Sequence, residues 1–153
     1  MAKLDLSLTA EELDAFLSSQ RTVRLATADA GARPHVVPLW FVWVDGTLFM
    51  NSTLGNLTIR NLQANPRATG SIDDGTVYEE LRGILINGPV EWADGDPRLE
   101  EVSRIWSEKY MGGSPLPYGR WRNRVWFRLR PERIASWDFR KIPAAKAAAR
   151  SGT

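Results

Sequence analysis

Residues 33–67 read RPHVVPLWFVWVDGTLFMNSTLGNLTIRNLQANPR, and the fold is decided inside this stretch. From His35 to Val44 both parities are apolar. Val36, Trp40, Val42 and Val44 share one side while Val37, Leu39, Phe41 and Trp43 share the other, the pattern of a strand covered on both faces. Asp45-Gly46 supplies the positive φ angles that a type I′ turn needs, so Thr47 to Asn51 reads as the returning strand of a hairpin. Gly55-Asn56 then opens a helix. Pro66 forces Asn65 out of the α region and closes that helix there.

Upstream, Thr9 and Glu12 form a capping box and Leu8 and Leu13 a hydrophobic staple, so a helix runs to about Ser19. Thr22 to Thr27 alternates as a half-buried strand. Downstream, Arg67 to Ile72 is a strand closed by Asp73-Asp74-Gly75. Gly83 to Trp92 is another, with Gly88-Pro89 predicting a bulge or bend at a barrel corner. Asp96-Pro97 predicts an N-cap followed by proline at the first helical position, and Leu99, Val102, Trp106 and Tyr110 continue at helical spacing. Gly112 to Gly119 is read as a mobile loop. Val125, Phe127 and Leu129 alternate with arginines, and Ile134 to Phe139 ends the ordered chain. Residues 1–143 are expected to form one domain and 144–153 a frayed, disordered tail. Sequential hairpins with inserted rather than alternating helices predict a mainly β fold, an antiparallel barrel with peripheral helices.

The composition narrows function without naming it. A chain of 153 residues with 43% hydrophobic and 25% charged residues fits one globular domain. A formal charge of +2 does not demand a polyanionic partner. The absence of cysteine excludes disulfides, thiolate metal sites and cysteine nucleophiles. His35 is the only histidine, and Asp73-Asp74 and Glu79-Glu80 lack ligand spacing, so no metal site is expected. Met1 to Leu8 carries no apolar segment and no stretch has the length of a membrane span, which sets the expectation of a cytoplasmic protein without a membrane partner. Seven tryptophans are the unusual feature, and they suit a deep core, an interface or a pocket for a flat ligand.

The ordered series in residues 33–67 resembles the flavin-binding core of the pyridoxamine 5'-phosphate oxidase-like split β-barrel family, including its branch that uses FMN or the deazaflavin coenzyme F-420. The resemblance extends over roughly Leu8 to Lys141 and implies a split antiparallel β-barrel of the FMN-binding type. It implies that the backbone of Val37, Pro38, Leu39 and Trp40 lies along the isoalloxazine edge. Pro38 cannot donate to a neighbouring strand, and the amides of Val37, Leu39 and Trp40 would stabilise charge on a reduced ring. Ser52, Thr53, Asn56, Thr58 and Arg60 match the family's phosphate-binding turn, where hydroxyls, helix-start amides and a guanidinium converge. One departure stands out: FMN-binding members carry a basic residue at the positions of Leu57 and Thr58.

Arg120, Arg122, Arg124, Arg128 and Arg130 share one parity, and such a row is either a solvated face or a source of positive charge. Family dimers place the cofactor between subunits, so the resemblance implies a homodimer in which an arginine such as Arg124 reaches a phosphate or the acidic tail of F-420. Trp40, Trp43 and Trp121 would shape an apolar pocket above the ring. The implied activity is flavin- or F-420-dependent oxidoreduction of a small organic substrate, with hydride carried by the cofactor and no residue of the chain required as catalyst. A non-catalytic FMN- or deazaflavin-binding protein is the alternative. Basic residues interleaved with aromatics over 120–130 raise nucleic-acid binding as a third reading, which the balanced charge of the remainder disfavours.

Overall fold

The computed structural model describes residues 4–151. The first three and last two positions of the expected domain and tail lie outside the described residues. Helix α1 (Ala10–Ser19) begins at the expected capping box: the Thr9 side chain accepts from Glu12 N and the Glu12 carboxylate from Thr9 N. Phe16 and Leu17 of α1 are buried.

Eight strands follow in one antiparallel sheet. They are β1 (Thr22–Ala28), β2 (Pro34–Trp40), β3 (Val42–Val44), β4 (Thr47–Thr53), β5 (Arg67–Asp74), β6 (Arg82–Trp92), β7 (Arg124–Leu129) and β8 (Arg133–Asp138). The spatial order is β2-β1-β5-β6-β7-β4-β3, with β8 paired to β6. Helices α2 (Leu57–Ala64), α3 (Leu99–Met111) and α4 (Ile142–Ser151) lie outside it, and the sheet curls into a split barrel.

Strand β6 turns the corner of the barrel at the expected place. Up to Pro89 it pairs with β5, and from Val90 it pairs with β7. Gly88 is required there, because a Cβ would lie 2.0 Å from the Arg130 carbonyl oxygen. At the Asp45-Gly46 hairpin φ is 47° and 67°, as a type I′ turn needs.

Two cores result. The larger fills the barrel with Phe16, Leu25, Phe41, Leu48, Met50, Ile59, Ile72, Ile84 and Phe127 among others. The smaller joins β3, β4 and β7 to α3 through Val42, Phe49, Val102, Trp106 and Trp126. Strand β4 stands between them, which is why Thr47 to Ser52 is buried on both faces.

Four expectations are corrected. The apolar run 35–44 is not one strand, since Phe41 interrupts it. Its N–H donates to the Tyr110 hydroxyl, and its carbonyl accepts from the same hydroxyl. Nor is β2 covered on both faces within the chain, for Val36 is 58% and Trp40 48% exposed. Asp96 does not cap a helix at Pro97. Its carboxylate accepts from Arg98 N and pairs with Arg98 and Arg128, and α3 starts at Leu99. Finally, residues 144–151 of the expected disordered tail belong to helix α4.

Candidate functional site

Strand β2 is the last strand of the sheet order, so one of its edges is free of strand pairing. Pro38 sits within it, where a missing N–H costs least. The pairing to β1 is unbroken from Pro34 to Trp40. In a regular strand successive amides alternate in direction, so Val37 and Leu39 donate to one side and Trp40 to the other. The three amides cannot all serve one ligand edge, as the sequence reading expected. Val37 and Leu39 side chains are half-buried, and Pro38 and Trp40 lie on the exposed face.

Beside β2 opens a cleft of about 240 Å³ lined by Pro38, Leu39, Trp40, Asn51, Trp106 and Arg124. Its aromatic wall is ordered by α3. Trp40 stacks on Tyr110 with centroids 4.5 Å apart and planes 8° from parallel. Trp106 meets Trp40 and Trp126 edge-on. On the far side Arg124 Nη1 donates to Asn51 Oδ1 at 2.6 Å, and its guanidinium lies 4.9 Å from the Trp121 ring centre.

Two donors at this cleft have no acceptor. Asn51 and Trp106 are 3% and 2% exposed, and among the described residues Asn51 Nδ2 and Trp106 Nε1 are the buried side-chain atoms without a partner. Each such orphan costs about 1–3 kcal/mol in a folded protein, so a retained pair points to something that satisfies them.

The next residue of β4 leads elsewhere. Ser52 Oγ accepts from Asn56 Nδ2 at 2.7 Å, and Asn56 Oδ1 caps α2 by accepting from Ile59 N at 2.9 Å. The amides of Leu57 and Thr58, in the first turn of α2, point out of the helix N-terminus as in any helix. Arg60 is exposed and has no ion-pair partner among the described residues, and Thr53 is also exposed. Thr58 is 2% exposed, so its hydroxyl is set back from the surface. Consecutive residues thus divide the sequence-predicted set. Pro38, Leu39, Trp40 and Arg124 meet at the cleft beside Asn51, while Ser52, Asn56, Thr58 and Arg60 gather at the helix start. The donor chemistry fits a planar group bearing carbonyls with an anionic tail.

The end of the arginine row is spent within the chain. Arg128 pairs with Glu91 and Asp96, and Arg130 with Glu91, so neither is a free source of charge. Both arginines hold the Glu91 carboxyl below its usual range. Arg124 is held by Asn51 of its own chain. Trp43 is not part of the aromatic wall either, because its Nε1 donates to Asp14 at 2.7 Å against α1. Trp106 takes that place. Its helical spacing with Leu99, Val102 and Tyr110 was visible in the sequence, but nothing there tied that face to Asn51.

Behind the wall lie two perturbed groups. The Arg21 carbonyl lies 2.8 Å from the Tyr110 hydroxyl and shares its single proton with the Phe41 carbonyl, and burial pushes the Tyr110 pKa up to about 12. Lys109 Nζ stands 3.4 Å from the Phe41 carbonyl and 4.4 Å from the Phe41 ring centre. Burial, aided by the positive Arg21, brings its pKa down to about 8. Among the described residues no cluster of His, Asp or Glu is arranged to hold a metal, and no helix is long and apolar enough to cross a membrane.

Residues 9–138 match the family model described as pyridoxamine 5'-phosphate oxidase. Among solved structures, a conserved hypothetical protein from Mycobacterium tuberculosis is 27% identical with a TM-score of 0.79, over 94% of this chain and 92% of that one. A structure described as an F-420 reductase is 25% identical with a TM-score of 0.61, over 80% of this chain and 94% of its own. A FAD-binding protein from Mesorhizobium loti, 24% identical over 85% of this chain and 94% of its own, shares the fold with a TM-score of 0.66. No curated protein is a match.

Proposed function

The chain belongs to the pyridoxamine 5'-phosphate oxidase family, and from that premise we propose that it is an oxidoreductase that uses F-420 or FMN on a small organic substrate. The observation that carries the reading is the division of labour on β4. Asn51 enters the cleft beside the β2 edge, and Ser52 braces the start of α2.

The residues present suit such a cofactor. The free edge of β2 would lie along its ring, and the outward amides of Leu57 and Thr58 with Arg60 would meet its anionic tail. When bound, the cofactor supplies hydride chemistry. The chain's own part is to bind, orient and exclude water: Trp40, held flat by Tyr110, gives an apolar wall, and Arg124 places positive charge at the cleft mouth. With Leu57 and Thr58 in place of basic residues, a long tail that shares its charge among several polar groups suits the helix start better than a single phosphate. F-420 is therefore favoured over FMN.

The exposed side chains Val36, Trp40, Leu54 and Leu57 surround these features. Their burial against a second copy would close the site, so the working form is a homodimer with the cofactor at the subunit interface.

A non-catalytic FMN- or F-420-binding protein is the second reading. Its support is that Arg124 is the only ionisable side chain lining the cleft, so no acid or base is offered there. Titration with FMN and F-420, following tryptophan quenching, tests both readings. Micromolar binding of one, followed by turnover with a reductant, supports the enzyme. Binding without turnover supports the carrier, and binding of neither removes both.

A further inference from the structure

The two orphaned donors and Arg124 belong to one cleft, and together they define an acceptor. Arg124 supplies positive charge and is 2.6 Å from Asn51 Oδ1, which fixes the orientation of the Asn51 amide. That leaves Asn51 Nδ2 and Trp106 Nε1, both on residues lining the cleft, as directional donors without partners. Trp40 adds a flat apolar wall. Nothing acidic lines the cleft to compete for these groups.

We infer that the cleft recognises the carboxylate of a small aromatic acid, with Arg124, Asn51 Nδ2 and Trp106 Nε1 around the carboxylate and the aromatic ring against Trp40. This rests on the cleft being the substrate side of the proposed site. A neutral acceptor would leave the Arg124 charge unused, and a compact inorganic anion would leave the indole wall unused. A volume of about 240 Å³ accommodates one ring with its carboxylate. Both orphan atoms are shut from solvent, so the acceptor reaches them only as the cleft opens around Asn51 and Trp106, with Trp40 kept in its stack on Tyr110.

The test uses benzoate, benzyl alcohol and inorganic phosphate as probes on the full chain, with and without F-420 or FMN. It reads the indole N–H resonances of the seven tryptophans. Trp106→Phe identifies the Trp106 signal. Benzoate is expected to shift the Trp106 and Trp40 signals saturably, about tenfold or more tightly than benzyl alcohol, because a hydrogen bond to a charged group exceeds a neutral one by that order. Arg124→Gln is expected to weaken benzoate about tenfold, and Arg124→Lys to regain part of the loss. Arg124 is exposed, so an unchanged far-UV spectrum is expected to accompany the loss.

Equal binding of benzyl alcohol, unchanged benzoate binding in Arg124→Gln, or displacement of benzoate by equimolar phosphate would each overturn the assignment. So would the absence of any shift both with and without cofactor. If neither cofactor binds while benzoate still shifts Trp106, the cofactor reading fails and the carboxylate site stands. If a cofactor binds and benzoate does nothing, the reverse holds.

Discussion

Asn51 gives its side-chain oxygen to Arg124 at 2.6 Å, and its buried amide nitrogen is left without an acceptor among the described residues. The arrangement costs stability and offers a donor, the usual signature of a position kept for binding. Asn51→Leu removes the orphan from a residue 3% exposed, while Arg124 at the surface can be rehydrated. The variant is expected to gain about 1 kcal/mol in urea denaturation while losing ligand binding at the cleft. A loss of stability would mean that the Arg124 contact outweighs the orphan.

Asn56 combines two duties, capping α2 and bracing Ser52. Asn56→Ala is expected to cost about 1 kcal/mol, the usual value of an N-cap. Asn56→Asp keeps the cap oxygen and stability but places a negative charge where an anionic tail would lie. Cofactor titration of this second variant separates the duties: weaker binding at unchanged stability is expected. Unchanged affinity would remove the helix start from the cofactor site.

The family departure at 57 and 58 divides in the same way. Leu57 is 44% exposed, whereas Thr58 is 2% exposed. Leu57→Lys is expected to tighten FMN about tenfold without loss of stability, since one charged hydrogen bond is worth that much. Thr58→Lys is expected to destabilise the fold, because an ammonium would be buried without a partner. Isothermal titration and thermal melts distinguish the two.

Gly88 marks the place where β6 leaves β5 for β7. A Cβ there would sit 2.0 Å from the Arg130 carbonyl oxygen, in a segment also tied by Arg130 N to Pro89 O and by Glu132 N to Asn87 O. Backbone on both sides cannot step aside. Gly88→Ala is therefore expected to lose about 3 kcal/mol, at the upper end for overpacking. A loss below about 1 kcal/mol in denaturant unfolding would show that the corner can open.

Much of this was legible in sequence because the signals were local. The capping box at Thr9, the Asp45-Gly46 turn, the α2 limits at Asn56 and Asn65, and the Gly88-Pro89 corner each depend on neighbours in the chain. What stayed hidden depended on distant partners. Phe41 reads as strand, yet its backbone is taken by Tyr110, 69 residues on. Asp96 reads as a cap, yet Arg98 and Arg128 claim its carboxylate. The arginine row reads as one surface, but Glu91 and Asp96 neutralise its end while Asn51 holds Arg124. At the site, the strand and the turn were readable as motifs. The meeting of Asn51 with Trp106 was not, because α3 reaches the cleft only through the tertiary packing of the smaller core.

Lys109 and Tyr110 give the fold a pH dependence of opposite signs. The Lys109 pKa falls from 10.5 to about 8 on folding. Below pH 8 the amine is charged in both states, and the folded chain bears the cost of holding it half-buried. Between about 8 and 10.5 the unfolded chain binds more protons, so stability rises with pH. Tyr110 moves from 10.0 to about 12, so between those values the unfolded chain has lost a proton that the folded one keeps, and stability falls. Urea midpoints are expected to climb above pH 8 and to turn down above pH 10. Lys109→Met is expected to abolish the climb and to stabilise the protein at pH 7 by roughly 1 kcal/mol, a value discounted for the solvent that still screens the amine. Tyr110→Phe is expected to abolish the downturn and to lower stability by about 1–2 kcal/mol through the hydrogen bonds lost at Phe41 and Arg21. A flat profile for the unmodified protein from pH 8 to 10 would show that the Lys109 amine is hydrated, with Phe41 and Arg21 too distant to matter.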